Sequence, residues 1–307
     1  MLRFWKKRFL LLGWGSLCCA GAMHLSAADI KVEDPRVAKV KHAMQLFQAN
    51  KLKEAEVEFR ALLDADERNR GLDHPDTLQD RKNLAIVLGM QGDFMNAEKV
   101  LQEAIDLESG ILGQENKDVL EFREILASTY AREGRNAEAA REFRKILTLR
   151  ERVFGLDDVG TARARSNLGS VLNDMGEFRE AEQLLRAAQP TLEKKLSAND
   201  PAILLNRTNL IKPLIALGRL LEAEKEQRVI LASLQNIVGQ NHPEVALATL
   251  NLATTLRAEK KYPEALELAR KAEAQLVQFM KPDSPKVKEV QQLRKELEEM
   301  PSPLRKK

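Results

Sequence analysis

The sequence predicts an all-α solenoid of tandem helix pairs, closed by a single capping helix at its carboxyl end. Three observations carry this. The landmark "GLDHPDTL" at residues 71–78 returns at Gly113 ("GQENKDVL"), Gly155 ("GLDDVGTA"), Ser197 ("SANDPAIL"), Gly239 ("GQNHPEVA") and Lys281 ("KPDSPKVK"), each time after 42 residues with no insertion or deletion. Two further columns keep the same step. One is Ala55, Ala97, Ala139, Ala181, Ala223 and Ala265; the other, five residues before each alanine, is Asn50, Gly92, Gly134, Gly176, Gly218 and Lys260. The composition is 31% charged, only 5% aromatic and dominated by Ala, Leu, Glu, Arg and Lys, which favours helices over strands.

Residues 1–28 stand apart from the period. They have a basic start (Arg3, Lys6, Lys7, Arg8), an uncharged apolar stretch, and Ser26-Ala27-Ala28 before Asp29, the small-x-small pattern of a signal-peptidase site. Two readings follow: a cleaved signal peptide, or an uncleaved anchor, since residues 9–28 are just long enough to span a bilayer. A lipid anchor fits less well, because neither Cys18 nor Cys19 follows the Leu, small, Gly/Ala run of a lipoprotein signal. In both readings the basic end stays in the cytoplasm and the remainder crosses the membrane. The protein is therefore expected to be exported, periplasmic or secreted, or else membrane-anchored through residues 9–28. Both cysteines and both tryptophans lie in this segment, so the remainder has no thiol for a disulfide, a zinc site or a nucleophile. Its four basic residues also account for the net charge of +3, leaving 45 of the 49 basic residues against 46 acidic ones. No nucleic-acid partner is expected from that balance.

The helix pairs fall at about 36–70, 75–112, 117–154, 159–196, 201–238 and 243–280, within an array spanning 29–300. In the first pair Asn50 is an acceptable residue for the turn, and the acidic run Asp64-Ala65-Asp66-Glu67 is expected on a solvated face. In the second, Leu78, Leu84, Ala85 and Leu88 recur at helical spacing over 75–91. Gly92 supplies a left-handed turn without a Cβ clash. Met95, Ala97, Val100, Leu101, Ala104, Ile105 and Leu107 form the apolar side of the helix that follows. The alanine column marks where paired helices cross closely. Each pair opens at the column His74, Asn116, Asp158, Asp200, His242 and Ser284, followed by prolines at Pro75, Pro201, Pro243 and Pro285. Asn, Asp and Ser cap helix amino termini and proline suits the first turn, so His74 and His242 are boundary residues rather than catalytic ones. In the sixth pair Lys260 replaces glycine, and that turn should differ or carry strain. Residues 285–299 form the polar end cap that a solenoid requires, and 301–307 a basic flexible tail.

Tandem helix pairs with small residues at their crossings resemble the tetratricopeptide repeat, and the 42-residue unit is similar to that of kinesin light chains. The motifs are "GLDHPDT", "NLAIVL" and "GDFMNAEKVL" within 71–101, "NLGSVL" and "GEFREAEQLL" within 167–185, and "GQNHPEVA", "NLATTL" and "YPEALELA" within 239–269. The resemblance covers roughly residues 36–300. It implies a right-handed superhelix whose concave groove, lined by first helices, binds a peptide. The same repeat form occurs in bacterial kinesin light chains encoded beside tubulin-like proteins.

On the first helices, the residue two before the recurrent small position reads Lys41, Asn83, Ile125, Asn167, Asn209 and Asn251. Four amides in six copies form a ladder able to donate to and accept from an extended backbone. Asparagines also serve to bond neighbouring helices, and this alternative stays open. Lys82, Ser128, Arg132, Arg163, Ser170, Lys212, Thr254 and Arg257 should point the same way, interrupted by Glu121, Glu124 and Asp174. That mixture suits a protein or peptide partner with some acidic character. No catalytic or metal motif is present: the histidines form no H-E-x-x-H pair and no phosphate-binding glycine loop occurs. No cofactor is implied. The sequence thus predicts a non-enzymatic scaffold that is exported, with a membrane-tethered adaptor for a filament or complex as the alternative. An enzyme with a catalytic site assembled across repeats would be the least expected outcome.

Overall fold

The computed structural model describes residues 35–300; residues 1–34, with the expected signal or anchor at 1–28, and the expected tail at 301–307 lie outside the described residues. The described chain is all helical and falls into two compact units, divided between Met175 and Gly176. The first unit holds α1 (Pro35–Gln48), α2 (Leu52–Arg70), α3 (Pro75–Gln91), α4 (Phe94–Leu112), α5 (Lys117–Glu133), α6 (Asn136–Phe154) and α7 (Val159–Met175). The second holds α8 (Phe178–Lys195), α9 (Pro201–Ala216), α10 (Leu220–Val238), α11 (Pro243–Ala258), α12 (Tyr262–Phe279) and α13 (Pro285–Glu299), the capping helix. Odd-numbered helices are the first helices of their pairs and even-numbered ones the second.

Helix starts follow the cap column. The side chains of His74, Asn116, Asp200 and His242 accept from the main-chain N–H two residues on, and those of Asp158 and Ser284 from the N–H three residues on. Both histidines do so through Nδ1, which settles them as caps: each satisfies a donor that the first turn leaves without an intrahelical partner.

The turn inside each pair is one closure used repeatedly. The N–H of Lys51, Asp93, Arg135, Arg219 and Lys261 donates to the carbonyl five residues earlier, at 2.8–3.0 Å. The residue in between takes a positive φ, 84° at Gly92, 91° at Gly134, 57° at Asn50 and 64° at Lys260. The lysine turn therefore keeps the common shape and carries the cost of a left-handed L-residue.

Second helices end by a different rule. Gly71, Gly113, Gly155 and Gly239 terminate 19-residue helices with φ of 82–100° and ψ of 158–174°, a region open essentially to glycine alone. Where Ser197 and Lys281 occupy this column, the helix is 18 residues long and leaves one residue earlier, through Leu196 and Met280 at negative φ. The missing glycine removes one residue of helix.

Packing repeats with the same step. All six alanines of the crossing column are wholly buried. In the first unit Ala97 lies in one cluster with Leu84 and Leu88 of α3 and with Ala43, Ala55 and Phe59 of α1 and α2. The next cluster joins Leu78 and Ala85 of α3, Leu101 and Ala104 of α4, and Phe122 and Ile125 of α5. Within this unit α4 is thus shared between its own first helix and the next, so the α3–α4 pair does not complete its core alone. In the second unit one cluster runs from Ala246 on α11 through Ala265 and Leu276 on α12 to Val287 and Leu297 on α13, which covers the last apolar face. One expectation fails: Met95 is 79% exposed. It lies in the first turn of α4, ahead of the buried stripe that begins at Ala97.

The lysine turn yields a direct test. Lys260→Gly should stabilise the protein by about 1 kcal/mol by relieving the left-handed residue, and Gly92→Ala should cost a similar amount. Thermal midpoints of the two variants check this; a lowered midpoint for Lys260→Gly would contradict the strain.

Candidate functional site

First helices of neighbouring pairs touch one another within each unit: α3 meets α5 and α5 meets α7 in the first, and α11 meets α13 in the second. The shared second helices bring these first helices side by side.

In the first unit Arg163, Asn167 and Ser170 lie at i, i+4 and i+7 on α7, all half-buried, and so on one stripe. Asn83 is half-buried on α3 and its Oδ1 accepts from Gln79 Nε2 at 3.1 Å. Ser128 and Arg132 are half-buried on α5, whereas Ile125, at the amide register, turns into the core. Lys82 is buried. Its Nζ lies 2.8 Å from Asp118 and 2.7 Å from Glu121 of α5, and 5.3 Å from the centre of the Phe122 ring. Burial alone would depress its pKa; Glu121 and Asp118 outweigh burial and hold the ammonium above its usual value. Lys82 thus bridges first helices before any ligand arrives.

In the second unit Asn209 and Lys212 lie one turn apart on α9, and Asn251, Thr254 and Arg257 follow on α11, all half-buried. Thr254 Oγ1 donates to the Leu250 carbonyl at 3.0 Å, and Arg257 is paired with Glu296 of the capping helix. Apart from the buried Lys82, the amides and cations of the predicted set are half-buried in each unit, and Lys82 and Arg257 already hold carboxylates.

Two polar ladders escaped the sequence reading. Arg81 donates to the Leu72 carbonyl at 3.0 Å and to Glu67 at 2.8 Å; Arg165 repeats this at the Leu156 carbonyl and Glu151, again 3.0 and 2.8 Å. Arg207 takes Glu193 in the same way. These arginines tie the end of one second helix, and twice the loop after it, to the next first helix. Arg81, Arg123, Arg165 and Arg207 form a 42-residue column that was visible in the sequence. The other ladder links the residue before a second helix to a glutamate on the preceding second helix: Arg135 to Glu98 at 2.9 Å, Lys261 to Glu224 at 2.5 Å, and Arg219 to Glu182. Glu98 also accepts from the Tyr130 hydroxyl at 2.9 Å; burial, reinforced by Glu98, pushes that phenol up to about 12.

The acidic run 64–67 corrects a second expectation. Asp66 is 5% exposed rather than solvated. Its carboxylate accepts from Arg36 Nε at 2.5 Å and from Arg70 Nε at 3.2 Å, while Arg36 Nη2 reaches Asp80 at 3.0 Å. The beginning of α1, the end of α2 and the beginning of α3 thereby meet at one edge of the unit. Burial pushes the Asp80 carboxyl up to about 7, against the pull of Arg36. Among the described residues no group of His, Asp and Glu is placed to hold a metal ion, and no helix is long and apolar enough to cross a membrane.

Known proteins place this geometry. A family model described as tetratricopeptide repeat matches residues 36–107 and 120–194, and a second of the same description matches 82–154 and 231–280. No curated protein matches the chain. Among solved structures, BtubC (BKLC) from P. vanneervenii is 20% identical, with a TM-score of 0.63 over 83% of this chain and 96% of that one. A chain of nearly identical TPR-like repeats from Podosopora anserina, described as a kinesin light chain, is also 20% identical, with a TM-score of 0.59 over 68% of this chain and 99% of that one. A Rap protein complexed with competence and sporulation factor is 16% identical, with a TM-score of 0.50 over 78% and 77%. At these identities the likeness is one of fold.

Proposed function

Because the chain belongs to the tetratricopeptide repeat family, whose members typically serve as non-catalytic scaffolds for protein and peptide partners, we propose that it binds an extended peptide segment of a partner along its first-helix face. The observation that carries this is the amide register, Asn83, Asn167, Asn209 and Asn251, half-exposed in both units. A side-chain amide both donates and accepts, as a peptide main chain requires. Charge plays the smaller part. Arg132, Arg163, Lys212 and Arg257 favour a ligand with acidic character, but such a ligand competes with Glu296 for Arg257 and with Asp118 and Glu121 near Lys82.

Asn209→Ala and Asn251→Ala stay within one unit and test the register. The probe is a peptide selected on the full-length chain from a display library. Each lost amide contact should cost roughly 0.5–1.5 kcal/mol, so the pair should weaken binding by up to about a hundredfold with an unchanged melting point. Unchanged affinity with a lowered melting point would assign the asparagines to helix packing instead.

Delivery is the second part of the proposal: residues 1–28 export the array, which acts on the far side of the membrane. A tethered adaptor is favoured by the uncharged length of residues 9–28, which suffices for a span. A phosphatase reporter fused after Lys307 should be active, as an exported carboxyl terminus requires. An inactive reporter with an intact fusion would contradict both forms. Whether the fusion remains in the membrane fraction distinguishes the tethered form from the cleaved one.

A further inference from the structure

The inward column on the second helices differs between the two units. It reads Asp66, Glu108 and Arg150 in the first and Leu192, Leu234 and Leu276 in the second. Asp66, Glu108 and Arg150 are nonetheless buried, at 5%, 0% and 3% exposure. Two of the three are compensated: Asp66 by Arg36 and Arg70, and Arg150 by Glu124, which its Nε meets at 2.6 Å. Glu108 is not. Neither of its carboxylate oxygens meets a hydrogen-bond donor, and the neighbouring Ser109 hydroxyl is likewise buried without one.

The surroundings explain why nothing rescues it. α4 packs between α3 and α5. From α3 come Arg81 and Lys82, from the turn before it Asp73, and from α5 Asp118. Arg81 is committed to Glu67 and the Leu72 carbonyl, and Lys82 to Asp118 and Glu121. Both nearby cations are thus spent elsewhere, and the two remaining neighbours repel a second negative charge. A buried carboxylate without a donor is costly in its ionised form, and a neutral acid far less so.

We propose that Glu108 makes the α3–α4–α5 layer a proton-operated joint, tight with the carboxyl protonated and loose with it charged. Burial raises the Glu108 pKa, with Asp73 and Asp118 adding to it and Arg81 and Lys82 opposing. A raised folded-state pKa gives stability that is complete below the ordinary glutamate range and is lost as pH climbs through the folded value. The joint carries Asn83, Ser128 and Arg132, so acid tightens that part of the first-helix face whatever the face binds. In the second unit leucine fills the column, and the device is absent there.

Hydrogen exchange of the full-length chain between pH 5 and 9, corrected for the intrinsic rate, tests the joint. The open fraction of α4 should rise up to tenfold per pH unit between the ordinary glutamate range and Glu108's own titration point. Peptides covering α12 serve as the internal reference. Glu108→Gln should remove that dependence in α4 and protect it at the alkaline end of the range, leaving α12 unchanged. Carbon-13 NMR of the Glu108 carboxyl in the unmodified protein gives a readout independent of any variant, and should show the acid form persisting above the ordinary glutamate range. Titration of Glu108 in the ordinary range, or a Glu108→Gln variant whose α4 retains the wild-type pH dependence, would overturn the proposal.

Discussion

Close approach of paired helices at a wholly buried alanine is the constraint on which the rest of the structure depends. The column from Ala55 to Ala265 has no exposure at any of its six positions. A side chain of one carbon lets the second helix settle onto its partner and, on its other side, meet the next first helix. Where a second helix is shared within a unit, as α4 is between α3 and α5, the spacing set at one crossing is handed to the next pair. That is why the 42-residue step admits no insertion, and why the cap and turn columns hold their places beside it.

The alanine, turn and cap columns were legible in the sequence because one residue type, or one chemical role, recurs at them. Even the departures obeyed local chemistry: Lys260 keeps the left-handed turn at a cost, whereas Ser197 and Lys281 cannot follow glycine and shorten the helix. Charged residues were harder to read. Asp66 and Glu108 look solvated because a charged letter in a helical pattern usually is; Asp66 is held by Arg36, 30 residues away, as well as by Arg70, and Glu108 meets no hydrogen-bond donor at all. The arginine ladder at 81, 165 and 207 was visible as a column, but its glutamate partners lie on a different helix, which one-dimensional periodicity does not pair.

The candidate face was legible to the same extent. Helical spacing puts Arg163, Asn167 and Ser170 on one stripe of α7, and Asn251 and Thr254 on the helix of Arg257, all half-buried. It did not reveal that Lys82 would be buried beneath two carboxylates of α5, or that Arg257 would hold Glu296. These pairs connect one first helix to the next, so the basic residues are part of the fold as well as part of the surface.

The alanine constraint can be measured at a single position. Ala97, in the midst of Leu84, Leu88 and Phe59, can be replaced in turn by Val and Leu and the equilibrium stability of the full-length protein determined. Overpacking should lower stability in order of side-chain volume, reaching about 1–3 kcal/mol or more at Leu, with loosening in the neighbouring pairs as well. A leucine variant as stable as the parent would mean that the crossing is not tight, and that the period is set by something other than the alanine contact.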